Sequence, residues 1–298
     1  GAARIVLATG AGAEWWQEEA GSSQSSASPS GEGGVWRCTG AAADPALKGP
    51  LFSIAVDSDS GSVAVGGGAG RAASVFGADG ALLATLRGHT GWVRAAVFHD
   101  GQLFTVGCNF VKVWRPLGRA WLPIGDLETR GDILALCAAA GVLVAAGVAS
   151  HLQRWQLPSG ALRPKDWLVA ARASAERAPS HHAGRVTGLA CRGGQLYTVG
   201  HDGMLRRRGL QGSAPAVASA PVGSRLLSME VLEDGQVACG TDSGTLHVFD
   251  GESLQERLRQ SGLHSGGPVS SVCCLGRGRI ATVSHAKGGL EIVHVQKK

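Results

Sequence analysis

Val93 to Cys108 reads VRAAVFHDGQLFTVGC. Two apolar runs flank the turn residues Asp100-Gly101, which is the pattern of a β-hairpin. Forty residues further on, Ile133 to Val148 reads ILALCAAAGVLVAAGV, and 93 residues on, Val186 to His201 reads VTGLACRGGQLYTVGH. The three stretches align without a gap. Gly occupies the turn in each (Gly101, Gly141 and, one place later, Gly194) and follows the second run at Gly107, Gly147 and Gly200. Recurrence at a fixed spacing is the mark of a repeat architecture, each repeat being one small supersecondary unit.

Looser copies extend the series: Leu51 to Gly66, Leu226 to Gly240 and Val269 to Ser284. A turn and a third run follow each pair, ending at Phe76, Trp114, Trp155, Arg208, Phe249 and Val293, at separations of 38, 41, 53, 41 and 44 residues. Repeats of four strands that build propeller blades recur every ~40–45 residues. Leu86-Arg87-Gly88-His89 with Trp92-Val93, Val111-Lys112-Val113-Trp114, and the run Gly240 to Asp250 (GTDSGTLHVFD) carry a closer likeness. Through them the chain resembles the WD-repeat family. The resemblance implies an all-β, seven-bladed propeller over residues 1–298 as one domain, with a divergent and incomplete first blade.

In that family a His, a Ser or Thr, an Asp and a Trp often form a buried hydrogen-bonded set in each blade. Only the second repeat comes close, with His89, Thr105, Asn109 and Trp114. Apart from Trp155 in the third, the other repeats lack the Trp, and Arg208 stands in its place in the fourth, so those blades are expected to rely on apolar packing and ladder hydrogen bonds. The motif some members use as ubiquitin-ligase adaptors is absent, since Trp114-Arg115-Pro116 and Phe249-Asp250-Gly251 both depart from it.

The N-terminal stretch reads as the divergent blade. Arg4 to Gly10 resembles a second strand, Glu14-Trp15-Trp16 the end of a third, and Val35-Trp36-Arg37-Cys38 a fourth, outer strand. That blade then lacks its innermost strand and the last blade an obvious outer one. Since the chain starts at Gly1 and not Met, a segment upstream, with or without a targeting peptide, is expected to supply the absent strand. Residues 17–34 are Ser/Gly-rich and read as a flexible loop. Residues 158–184 form a longer insertion, within which Trp167-Leu168-Val169 reads as the outer strand of its blade.

Bulk composition agrees with a globular chain: 298 residues, 44% apolar, 17% charged and 46 Gly, as many tight turns require. Net charge is +5, with 6 Lys among 28 basic residues, so the excess lies in Arg. Single Asn and Tyr residues beside abundant Ala and Gly point to coding bias behind part of it. The seven cysteines, Cys38, Cys108, Cys137, Cys191, Cys239, Cys273 and Cys274, are odd in number, show no CxxC and sit mostly in apolar runs. They read as reduced, buried hydrophobes of an intracellular protein, in cytoplasm or nucleus, with organelle import open.

Other readings are weaker. Ile133 to Ala149 carries no charge over 17 residues, but a membrane helix needs ~20, and the gapless match to two strand pairs argues for strands. Gly66-Gly67-Gly68-Ala69-Gly70 has neither the following Lys-Ser/Thr nor the helix of a phosphate loop. His181-His182 and His201 lack metal-ligand spacing. No ordered set of nucleophile, base and acid occurs. The expectation is therefore no enzyme, no cofactor, no metal and no membrane span.

The expected function is a protein-interaction scaffold, a subunit of a multiprotein assembly that binds other proteins. Trp92, His99, Arg130, Asp132, Arg185 and His201, near strand ends on one face, are the candidate contacts. Arg206-Arg207-Arg208 supplies the alternative of a basic surface contacting RNA or DNA within a ribonucleoprotein complex, set against a solvated outer strand with ion pairs. No interleaved aromatic platform accompanies the three arginines, which favours the second view.

Overall fold

The computed structural model describes residues 4–9, 12–18, 36–118, 120–149, 151–160, 162–211, 218–276, 278–286 and 290–295. They form seven antiparallel sheets, each built from consecutive strands. The first sheet contains β1 (Arg4–Thr9), β2 (Gly12–Glu18) and β3 (Trp36–Ala43). The second runs from β4 (Leu51–Val56) through β5 (Val63–Gly67) and β6 (Ala73–Phe76) to β7 (Leu82–Leu86). The third holds β8 (Val93–His99), β9 (Gln102–Gly107), β10 (Phe110–Leu117) and β11 (Ala120–Glu128). The fourth holds β12 (Ile133–Ala139), β13 (Val142–Gly147), β14 (His151–Gln156) and, after the helix α1 (Pro164–Ala173), β15 (Glu176–Pro179). The fifth holds β16 (Val186–Arg192), β17 (Gln195–Gly200), β18 (Met204–Gly209) and β19 (Ala218–Pro221). The sixth holds β20 (Leu226–Val231), β21 (Val237–Thr241), β22 (Leu246–Phe249) and β23 (Glu256–Gln260). The seventh holds β24 (Ser271–Gly276), β25 (Arg279–Val283) and β26 (Leu290–His294).

The hairpins that opened the sequence reading close through two residues in the left-handed region: Asp100-Gly101 (φ 47° and 67°), Ala140-Gly141 (49° and 70°) and Gly193-Gly194 (55° and 71°). Two consecutive positive φ values twist the chain in the sense the flanking strands need, which is why Gly recurs there. The second strand of each blade is covered by neighbouring sheets on both faces, so β9, β13 and β17 are almost wholly buried. That double burial is the reason they read as continuous apolar runs rather than alternating ones.

The innermost strands β4, β8, β12, β16, β20 and β24 surround a central channel of about 410 Å³. Among the described residues the first sheet contributes none to the channel wall, in keeping with β1 as a second-strand equivalent. It packs through Val6, Ala8, Ala13 and Trp15 onto Leu47, Val63, Val65 and Phe76. An Arg279–Glu18 ion pair ties it to the seventh sheet on its other side.

Three expectations need correction. Trp167-Leu168-Val169 is not a strand: it lies in α1, and β15 is the outer strand of that blade. Pro164 opens the helix, with Asp166 in the first turn and Arg172 in the last, each favourable to the helix dipole. Trp167 and Ala171, one helical turn apart, are its buried face. A three-residue apolar run is too short to distinguish the two periods. The proposed loop 17–34 begins too early, because Gln17 and Glu18 belong to β2, while residues 19–34 lie outside the described residues. The fourth strand of the first blade runs on to Ala43. Ile133 to Ala149 spans β12 and β13, and among the described residues no helix is long and apolar enough to cross a membrane.

Candidate docking site at the channel mouth

One irregularity recurs in five blades. Pairing between the innermost and second strands shifts register at Leu51/Ser53, Val93/Ala95, Ile133/Ala135, Val186/Gly188 and Leu226/Ser228. Each shift leaves one residue unpaired: Phe52, Arg94, Leu134, Thr187 and Leu227. All five line the channel. A β-bulge re-aims the side chain it carries, so the fold delivers five variable side chains to one rim. Side-chain hydroxyls fix the ring by reaching the next blade. Thr187 Oγ1 donates to Leu226 O at 2.7 Å, Ser228 Oγ to Val269 O at 2.9 Å and Ser53 Oγ to Val93 O at 3.5 Å.

Two of these bulge residues meet Trp92, which directly precedes β8. The Phe52 and Trp92 rings stack with centroids 5.0 Å apart at 11°. The Arg94 guanidinium carbon lies 5.3 Å from the Phe52 centroid and 5.0 Å from that of Trp92. Trp92 is 46% exposed and Phe52 38%. Among the described residues Arg94 makes no hydrogen bond or ion pair, so its N–H donors are unclaimed. Cation–π contact worth ~0.5–1 kcal/mol at such a site holds the guanidinium in place without consuming those donors.

The positions just ahead of the innermost strands share this face: Trp92, Asp132, Arg185 and Arg225, all exposed. Arg130 is exposed two residues before Asp132. His201, half-buried, donates its backbone N–H to Arg185 O at 2.9 Å. Partial burial lowers its pKa, and Arg225 and Arg185 add to this, with Asp242 opposing. The structure thus brings Trp92, Arg130, Asp132, Arg185 and His201 to one face. His99 is not among them. It ends β8 at the opposite edge, where its Nε2 accepts from Gly141 N at 3.3 Å, because the hairpin turn following an innermost strand lies on the other side of the disc.

The three consecutive arginines are not a solvated outer strand either. They lie in β18, the third strand, which β19 covers on the outside. Arg206 donates to Asp202 Oδ2 at 2.9 Å, Arg207 to Gly251 O at 3.1 Å and Arg208, 3% exposed, to Pro179 O at 2.7 Å. Burial, and then Arg154, push the Arg208 pKa down. Protein acceptors therefore hold donors of all three, and Arg208 is sealed from any phosphate.

The hydrogen-bonded set of the second repeat forms in part. Trp114 Nε1 donates to Thr105 Oγ1 at 2.8 Å, and Thr105 Oγ1 lies 2.8 Å from His89 Nε2. Asn109 stands outside it, exposed in the turn after β9. Sequence reasoning missed two further sets. His182 Nε2 lies 2.8 Å from Thr198 Oγ1, and its Nδ1 2.8 Å from Asp202 Oδ1. His264 Nε2 lies 3.1 Å from Thr282 Oγ1. The signal was available, since His89–Thr105 and His182–Thr198 are both 16 residues apart. The absent Trp drew attention away from it. Phe52 and Arg94 were also missed; their shared place, second in an innermost strand, marks them once the bulge is known.

Among the described residues no cluster of His, Cys, Asp and Glu is arranged to hold a metal. No family model and no curated protein matches this sequence. Solved structures do match. The WD40 β-propeller domain of Doa1 superposes with a TM-score of 0.76 at 15% identity, over 99% of this chain and 90% of that one. The computationally designed Ika8 protein superposes with a TM-score of 0.61 at 18% identity, over 84% of this chain and 73% of that one. At these identities the likeness is one of fold, and the fold is the WD40 propeller.

Proposed function

We propose that this chain, a seven-bladed propeller with the WD40 fold, is a non-catalytic protein-interaction scaffold whose partner docks over Phe52, Trp92 and Arg94. The observation that carries the reading is a stacked, exposed aromatic pair holding an unclaimed guanidinium on a ring of bulged strands. Binding hot spots are enriched in Trp and Arg. Because the supporting strands are locked to one another, little ordering entropy is lost when a partner binds. Free N–H donors over apolar rings suit a segment that presents a carboxylate beside an apolar or aromatic side chain. Arg185 and Arg225 extend the same surface.

Purification of partners on the immobilised chain, followed by affinity measurement on the identified partner, tests this. Trp92→Ala and Arg94→Ala are each expected to weaken binding by ~30-fold or more, the scale of a hot-spot loss of 2 kcal/mol, and Arg185→Ala by less. Unchanged affinity in the Trp92 and Arg185 variants would count against the site. The nucleic-acid reading loses its main motivation with Arg206, Arg207 and Arg208 occupied inside the blade. It would regain ground if the chain bound RNA or DNA with an affinity falling steeply with salt.

A further inference from the structure

We propose that Cys137 and Cys191 are an oxidation site at which a hydroperoxide closes a reversible cystine between two neighbouring blades. Cys137 lies in β12 and Cys191 in β16, innermost strands of the fourth and fifth sheets. Their Sγ atoms are 2.7 Å apart across the interface, approaching the ~2.05 Å of an S–S bond. Both belong to one apolar cluster with Val144, Leu189 and Leu196, so the two sulfurs are held facing each other by packing and not by a mobile loop.

The two thiols differ in access, and this assigns their roles. Cys191 is partly exposed and Cys137 is buried. A small peroxide therefore meets Cys191. Its thiolate sulfur attacks one peroxide oxygen, the O–O bond breaks, and the departing hydroxide takes a proton to leave as water, giving a sulfenic acid. The Cys137 sulfur then attacks the Cys191 sulfur. The S–O bond breaks, and the hydroxyl leaves as a second water with the Cys137 proton. Two thiols and one hydrogen peroxide become one disulfide and two waters, with the peroxide as oxidant. Burial, and then the nearby Cys191, raise the pKa of Cys137 well above that of an ordinary thiol, so the second step quickens with rising pH. Cys239 is buried alone, and the adjacent residues Cys273 and Cys274 cannot bridge each other without distortion.

The test exposes the full chain to graded hydrogen peroxide, blocks remaining thiols under denaturing conditions and maps peptides without reduction. The expected result is a Cys137–Cys191 linked pair, lighter by two hydrogens and released by dithiothreitol. Cys137→Ser should instead accumulate a dimedone-trappable sulfenic acid at Cys191, and Cys191→Ser should leave Cys137 unmodified. The wild-type map stands on its own if a variant misfolds. Free, alkylated Cys137 and Cys191 at peroxide levels that oxidise the exposed Cys38, or cystines joining other cysteines, would overturn the proposal.

Discussion

Burial keeps the His89 ring neutral, and stability should reveal it. The Trp114 indole N–H can only donate, so Thr105 Oγ1 accepts from it and keeps its own hydrogen and a second lone pair for the bond with His89 Nε2. The ring is neutral with its hydrogen on either nitrogen, and Nδ1 has no partner among the described residues. Charging the ring would place a cation in a site where His89 is 6% exposed. Burial, and then Lys112, lower the His89 pKa to about 4, with Asp126 opposing. As pH falls below the unfolded value of ~6.5, the unfolded chain binds a proton that the folded chain refuses, so stability present above that pH drains away until about pH 4. Between pH 7 and pH 4.5 this linkage amounts to roughly 2 kcal/mol. Urea unfolding of wild type and His89→Leu, followed by tryptophan fluorescence at both pH values, isolates it. The variant should start lower by ~1–3 kcal/mol because the buried Thr105 hydroxyl loses its His89 partner. Between the two pH values it should then lose roughly 2 kcal/mol less than wild type. Parallel losses in the two proteins would refute the argument.

Asp202→Ala removes the acceptor shared by His182, Arg206 and the Ala183 N–H. It should cost ~1–3 kcal/mol in urea denaturation, because three partners lose a shared charged acceptor and Arg206 keeps only His182 Nδ1 beside it. Trp167→Ala empties a side chain that is 0% exposed and breaks the Nε1 bond to Pro158 O. A loss of ~3–5 kcal/mol in thermal or urea unfolding is expected, together with proteolytic cleavage at α1 in the folded protein.

Much of the fold was legible in the sequence because a blade is a local object. Hairpins such as Val93 to Gly107 declare themselves through two apolar runs, a left-handed turn and a terminal Gly, and those demands repeat every forty-odd residues. Trp92, Arg130, Asp132, Arg185 and His201 were legible as one face for the same reason, since each sits at a fixed place in its repeat. His99 was misplaced because an innermost strand begins on one face of the disc and ends on the other. Trp167 misled because a helix inserted between β14 and β15 obeys no blade period.

By itself, then, the sequence determined the repeat, the strand pairs and the turns, whose information lies within short stretches of chain. Tertiary structure alone decided that Phe52 would stack on Trp92, that Arg94 would lie against both rings, and that Arg208 would be buried. It also decided that Cys137 would face Cys191 from 54 residues away. The physical reason is that these partners lie on different blades. Their encounter depends on how sheets twist, bulge and pack around the channel, and no periodicity within one repeat encodes which side chain of the next blade will be met.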